Sequence, residues 1–214
     1  NSVKQTNDGG YIIGAAQNTI IKTDSEGGEE WHKKLSYSVH HYVEDVIQTS
    51  DGDYIIVGGA GGDPLGGHAI KGKAFILRMS EGGDVQWVKR YGIIDTPNNT
   101  FWGVVEADDG GFVIAGEKLQ DRNFEFYDHF WVMKTDAYGE EEWSIESGGN
   151  LWDEAQDIVK LSDDSYIVTG KTALSSTNLN MKVMRVSSSG QILWQNNHGG
   201  GNNDTATGIT LSQN

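Results

Sequence analysis

One register recurs four times in this chain: Asp or Ser, a glycine three residues later and a tryptophan seven residues later, at Asp24–Gly27–Trp31, Ser80–Gly83–Trp87, Asp136–Gly139–Trp143 and Ser187–Gly190–Trp194. Self-similarity at a period of about 50 residues restricts the chain to a repeat architecture, in which one supersecondary unit recurs and buries its apolar face against its neighbours. A second motif precedes each copy, a polar turn running into an apolar segment: NDGGYIIGAA from Asn7, SDGDYIIVGG from Ser50, DDGGFVIAG from Asp108 and SDDSYIVTG from Ser162.

The segments between these turns are short, rich in β-branched and aromatic residues, and punctuated by Gly and Asp, which favours strands over helices. Five further segments lead into the Asp-Gly turns: SVKQT at Ser2, DVIQT at Asp45, GVVEA at Gly103, DIVKL at Asp157 and GITLS at Gly208. Their first residue is always Ser, Asp or Gly and their second always Val or Ile, the pattern of an innermost strand crowded around an axis. Each unit is therefore predicted to run strand A, turn, B, loop, C, turn, D, with the tryptophan on D. Four antiparallel strands per repeat is the sequence form of a β-propeller blade. The expected fold is all-β, a single propeller domain over residues 1–214, with blades at about 1–42, 43–100, 101–154 and 155–206 and an extra strand at 207–214. The four blades are expected to close on themselves, each tryptophan buried against the next blade.

The D/S-x-x-G-x-x-x-W corner resembles the tryptophan-docking corner of quinoprotein-type propellers, and the DGGYIIAG-like strand pair resembles repeats of secreted bacterial and archaeal propeller proteins. The corner turn is one residue shorter than in quinoproteins, and a basic residue (Lys22, Arg78, Lys134, Arg185) stands where the docking alanine would sit. No quinone cofactor is therefore expected. The corner is also similar to the Asp-box of sialidases, but a sialidase needs an arginine cluster. Of the four arginines here, Arg78 and Arg185 belong to the repeated column, leaving Arg90 and Arg122.

Composition narrows the partners. A net charge of -15 disfavours nucleic acid and anionic membranes, and no run approaches the ~18 apolar residues of a membrane span. The absence of cysteine removes thiol catalysis, Cys-ligated zinc and disulfides. No GxSxG elbow, P-loop or H-E-x-x-H helix is present.

Function is expected where the repeats disagree. The A–B and C–D turns are uniform, whereas the B–C segments Gly59–Lys73, Glu117–His129 and Lys171–Asn180 read as long loops. With the D–A connections they form one face carrying His40, His41, Tyr42, Asp95, Asp121, Phe124, Asp128 and Asp204 among others. The candidate ligand-binding set is Trp102, Trp152, Phe126, Tyr127, Asp153 and Glu154, aromatics beside carboxylates of the kind that stack on sugar rings and bond their hydroxyls. The function expected is a non-catalytic binding or adhesion propeller, extracellular or at the cell surface, holding a glycan or an extracellular protein.

Two alternatives stand beside it. One is a structural propeller within a larger multidomain assembly; the other is a glycoside hydrolase pairing Asp153 or Glu154 with Asp95 or Asp204. No metal is expected as a fixed cofactor, although NNDTATG at Asn202 and GDPLGG at Gly62 offer oxygen ligands for calcium. Asn98-Asn99-Thr100 and Asn203-Asp204-Thr205 are N-glycosylation sequons.

Overall fold

The computed structural model describes residues 1–15, 18–35, 41–60, 73–92, 99–122, 125–149 and 151–212. The chain forms two compact units, Asn1–Phe101 and Trp102–Asn214. All the regular structure among the described residues is β.

In the first unit β1 (Ser2–Gln5), β2 (Tyr11–Ala15), β3 (Thr19–Thr23) and β4 (Glu29–Lys34) pair in sequence order as an antiparallel meander. A second follows, β5 (His41–Gln48), β6 (Tyr54–Ala60), β7 (Lys73–Met79) and β8 (Val85–Tyr91). Period-two alternation turns one side of each strand inward. Ile12 and Ile20 from the first meander thus pack with Val43, Val46, Tyr54, Ile56, Phe75 and Leu77 from the second.

The second unit repeats the plan. Its strands are β9 (Thr100–Glu106, entering from the first unit), β10 (Phe112–Arg122), β11 (Glu125–Thr135) and β12 (Glu141–Ser147), then β13 (Glu154–Lys160), β14 (Tyr166–Ser175), β15 (Asn178–Val186) and β16 (Ile192–His198). Val113, Ala115, Phe130 and Val132 face Ala155, Ile158, Tyr166, Val168 and Met184 across its core.

The recurring corner is explained residue by residue. Its polar side chain caps the turn: Asp24 Oδ1 accepts the Gly28 N–H at 2.8 Å, Asp136 Oδ1 the Glu140 N–H at 2.8 Å, and Ser80 Oγ and Ser187 Oγ the Asp84 and Gln191 N–H groups at 3.0 Å. The glycine takes a φ of 84°, 83°, 78° or 79° at Gly27, Gly83, Gly139 and Gly190, the left-handed region in which a side chain is strained. Each tryptophan stands opposite the basic residue on its C–D ladder, next to a bulge, as in the pairs Lys22–Trp31 and Lys134–Trp143.

The basic column clamps the A–B turn to the corner. Lys22 Nζ donates to Asp8 and Glu30, both at 2.7 Å, and Lys134 Nζ donates to Asp109 at 2.6 Å and to Glu142. Arg78 pairs with Asp51 and Asp53, and Arg185 with Asp163. In the fourth copy Asp164 stands where the others have the turn glycine, at a φ of 54° that aspartate tolerates better than most residues.

Within each unit the small-or-acidic column lines the contact between neighbouring A strands. Ser2 Oγ donates to Asp45 Oδ1 at 2.6 Å. In the second unit Asp157 lies against Gly103, where an added Cβ would stand 3.3 Å from its Cα, and its Oδ2 accepts the Ile209 N–H at 2.8 Å. A carboxylate there leaves room beside it only for a small or donating residue.

Several expectations change. Residues 117–122 and 125–129, expected as loop, are the continued arms of the β10–β11 hairpin, and Lys171–Asn180 belongs to the β14–β15 hairpin, because the antiparallel register runs on from the core into these polar stretches. Trp102 belongs to β9 rather than to a loop. The expected extra strand at 207–214 carries no ladder over its described residues 207–212. Trp31 and Trp143 are half-buried rather than buried, and Trp194 is 40 % exposed. An indole on an outermost strand keeps one edge in water even when its face is covered.

Candidate functional site

The extended β10–β11 hairpin brings chemistry to one end of the second unit. Glu117 pairs with Phe130 and Leu119 with Asp128 on its ladder, so both carboxylates stand on the side facing the β13–β16 meander. From that meander Glu154, the first residue of β13, meets them. Carboxylate oxygens of Glu117, Asp128 and Glu154 all lie within 4.8 Å of one another.

The connection before β13 completes the corner. The Asp153 N–H donates to the Asp128 carbonyl at 2.8 Å, and Asp153 Oδ2 accepts the Gly149 N–H at 3.0 Å. Asp153 is 1 % exposed, whereas its neighbour Trp152 is 52 % exposed. The chain thus fixes one side chain inward and presents the next to solvent.

Cations temper the negative charge. Lys171, opposite Glu154 on the β13–β14 ladder, pairs with it at 2.6 Å, and Gln156 Nε2 donates to the other oxygen at 2.6 Å. Lys182 Nζ lies 4.8 Å from the Phe130 ring centroid and donates to Ser147 Oγ at 2.7 Å; burial lowers its pKa, opposed by the Asp153 charge. Burial, aided by Glu154 and Asp153 and opposed by Lys171, pushes the Asp128 carboxyl up to about 6. Asp128 Oδ1 and Asp153 Oδ1 are both buried without a hydrogen-bond partner among the described residues.

Such a corner can hold a proton in mildly acidic water, receive a cation, or brace an exposed loop. Of the residues expected from the sequence, it gathers Asp153 and Glu154 from the ligand-binding set and Asp128 from the wider face. Tyr127 is half-buried on β11, opposite Gln120 and pointing away from the Asp128 face. Phe126 pairs with Asp121 at the hairpin end, and its side chain lies outside the described residues. Trp102 is half-buried on β9, its Nε1 enclosed without a partner among the described residues. His40, Asp63, His68, Asp95, Asn98 and Phe124 lie outside the described residues, as does the GDPLGG segment. In the other loop considered for calcium, Asn203 Oδ1 accepts the Leu179 N–H at 3.0 Å and Asp204 Oδ2 the Gly200 N–H at 2.9 Å.

Glu117 is the member that sequence inspection missed, because it was taken as the edge of a loop. The signal was the alternation Glu117, Leu119 and Asp128, Phe130, which puts polar and apolar residues on one strand face.

No family model matches the chain, and no curated protein matches it. Among solved structures it is similar to BBS1N in complex with ARL6DN, at 12 % identity and a TM-score of 0.45, over 88 % of this chain and 62 % of that one. A eukaryotic initiation factor gives 7 % identity and a TM-score of 0.36, over 92 % and 64 %. BamB from Moraxella catarrhalis gives 13 % and 0.26, over 94 % and 78 %. The chain thus spans less than two thirds of the first two of these proteins.

Proposed function

We propose that this chain is a non-catalytic binding module built from β-propeller blades, extracellular or at the cell surface, with its ligand at the loop end of the second unit. The observation that carries this proposal is the pairing of an exposed indole, Trp152, with a buried anchor, Asp153, bonded across to β11. An aromatic mounted on a fixed backbone stacks on a ligand with little loss of side-chain freedom, at about 1 kcal/mol beyond area burial. Glu154 at its base is an acceptor for a hydroxyl or amide, which favours a glycan over a purely apolar partner. Trp102, Phe126 and Tyr127 remain part of the proposed surface, with Asp153 as support beneath it.

Binding of the parent and of Trp152→Ala and Trp102→Ala to glycan and matrix-protein arrays tests this proposal. It expects a weak glycan signal that Trp152→Ala removes with the melting temperature unchanged. A parent that binds only a protein redirects the site to that class. A parent that binds nothing, or variants that bind as it does, would leave the structural propeller as the better account.

A second proposal is favoured by the carboxylate corner itself: calcium held by Glu117, Asp128 and Glu154. Oxygen ligands of this kind suit calcium, which the neighbouring backbone would complete. It predicts a calcium-dependent rise in melting temperature that chelator reverses and Glu117→Gln removes; a melting temperature indifferent to calcium refutes it.

A further inference from the structure

The connections after β12 and after β16 are built alike. The Asp204 N–H donates to the Leu179 carbonyl at 2.7 Å and the Gly200 N–H to Asp204 Oδ2 at 2.9 Å, just as Asp153 engages the Asp128 carbonyl and the Gly149 N–H in the preceding repeat. This latch recurs, so it belongs to the scaffold. With Asp128 and Leu179 equivalent, Asn178 and Asn180 on β15 stand where the third meander has Tyr127 and His129. The latch itself therefore does not require two amides there.

Those amides present acceptors to which nothing donates. Asn180 is 8 % exposed, and its Oδ1 is buried without a hydrogen-bond partner among the described residues. Asn178 Oδ1 is in the same condition, and its Nδ2 is committed to the Gly200 carbonyl at 3.2 Å, which stops the amide from turning over. Asn180 Oδ1 is aimed at the carboxylate of the loop: a Cβ at Gly199 would stand 2.6 Å from Asn180 Oδ1 and 2.8 Å from Asp204 Oδ2. The two oxygens converge on a place that only glycine leaves open.

An amide oxygen turned toward a carboxylate is repelled by it, and a buried acceptor without a donor is costly. A cation between the two oxygens converts both penalties into attraction. The place is also interior to the second unit. Asn180, Lys182 and Met184 share one side of β15, the side from which Lys182 Nζ reaches Ser147 Oγ and Met184 joins the core.

We propose that Asn178 Oδ1, Asn180 Oδ1 and Asp204 hold a calcium ion between β15 and the loop that follows β16. Neutral amide oxygens beside a carboxylate suit calcium, which accepts a looser oxygen shell than magnesium does and completes it with water. One charged ligand makes for a weak site, filled at roughly millimolar calcium. The net charge of -15 assists by concentrating cations near the surface. This site shares no ligand with the set Glu117, Asp128 and Glu154, and it depends neither on that set nor on the Trp152 surface.

Equilibrium dialysis against calcium tests the proposal on the parent, on Glu117→Gln, and on Glu117→Gln combined with Asp204→Asn or Asn180→Leu. The Glu117→Gln chain is expected to bind a single calcium ion. Asp204→Asn keeps an acceptor for the Gly200 N–H but loses the charge, so it should weaken that binding at least about tenfold while leaving the melting temperature in chelator unchanged. Asn180→Leu should weaken it similarly. A Glu117→Gln chain that binds as many ions as the parent removes the Glu117 corner as a calcium site and leaves this one standing. A Glu117→Gln chain that binds no calcium overturns the proposal, for the Asn180 amide then turns its Nδ2 to Asp204. Binding that neither added substitution weakens overturns it as well.

Discussion

The indole of Trp143 lies on Gly190: a Cβ at that glycine would stand 2.7 Å from Cδ2, and Nε1 donates to the Ser188 carbonyl at 3.0 Å. Strand β12 is thereby held to the next corner by packing and by a hydrogen bond. The same seat recurs at Trp31 and Gly83.

Trp143→Ala should lose stability, but by less than a fully buried tryptophan. Large-to-small changes cost ~3 to 5 kcal/mol in a core, and a half-buried ring should cost ~2 to 3. Trp194→Ala removes an exposed ring and should cost under ~1 kcal/mol. Urea denaturation of both checks the contrast. Equal losses would contradict the assignment of Trp143 to a docking seat.

Lys134→Ala should cost ~1 to 2 kcal/mol, and Lys134→Met less. The ammonium group is almost fully buried between Asp109 and Glu142, whose side chains are half in water and can rehydrate once it is gone. Methionine keeps the packing of the stem between the A–B turn and the corner. A thermal melt in which Met and Ala lose the same amount would show that the stem contributes nothing.

Asp128→Asn should stabilise the protein at pH 7.5 and much less at pH 4.5. The folded carboxyl titrates near 6 and the unfolded one near 3.9, so the folded state holds its proton more tightly. Stability from this group is present below about 4 and falls as pH rises through about 6. Asp51, Asp109 and Asp163 act in the opposite sense. Hydrogen bonds from Thr49 and Ser165 lower Asp51 and Asp163; at Asp109 burial pulls upward but the bonds from Lys134 and Gly111 outweigh it. Their contribution is present above about 3.9 and is lost as pH falls further. Melting temperatures of parent and variant, measured in chelator, isolate Asp128 as the difference. An equal gain at both pH values would refute the raised titration of Asp128.

The scaffold was legible in the sequence because it is written four times. Asp24, Gly27 and Trp31 each recur for a local reason: a cap, a left-handed turn and a seated ring. The candidate site was only half legible. Asp153 and Glu154 stood out as departures from the repeat, but Glu117 lies 37 residues away from Glu154 and met it only through the length of the β10–β11 hairpin. Polar residues on that hairpin looked like loop because composition outweighed alternation. The opposite fates of Trp152 and Asp153 were hidden too, since adjacent residues in an irregular connection carry no periodicity to say which points inward.

The central claim, that the recurring corner is a docking device, is tested most directly by unfolding free energies of Gly190→Ala and Gly27→Ala. Both glycines have left-handed backbones, φ 79° and 84°, so each variant incurs a similar strain of roughly 1 to 2 kcal/mol. Of these two, only Gly190 carries a tryptophan, so its variant should lose a further ~1 to 3 kcal/mol from overpacking against Trp143. Equal losses at the two positions would contradict the claim.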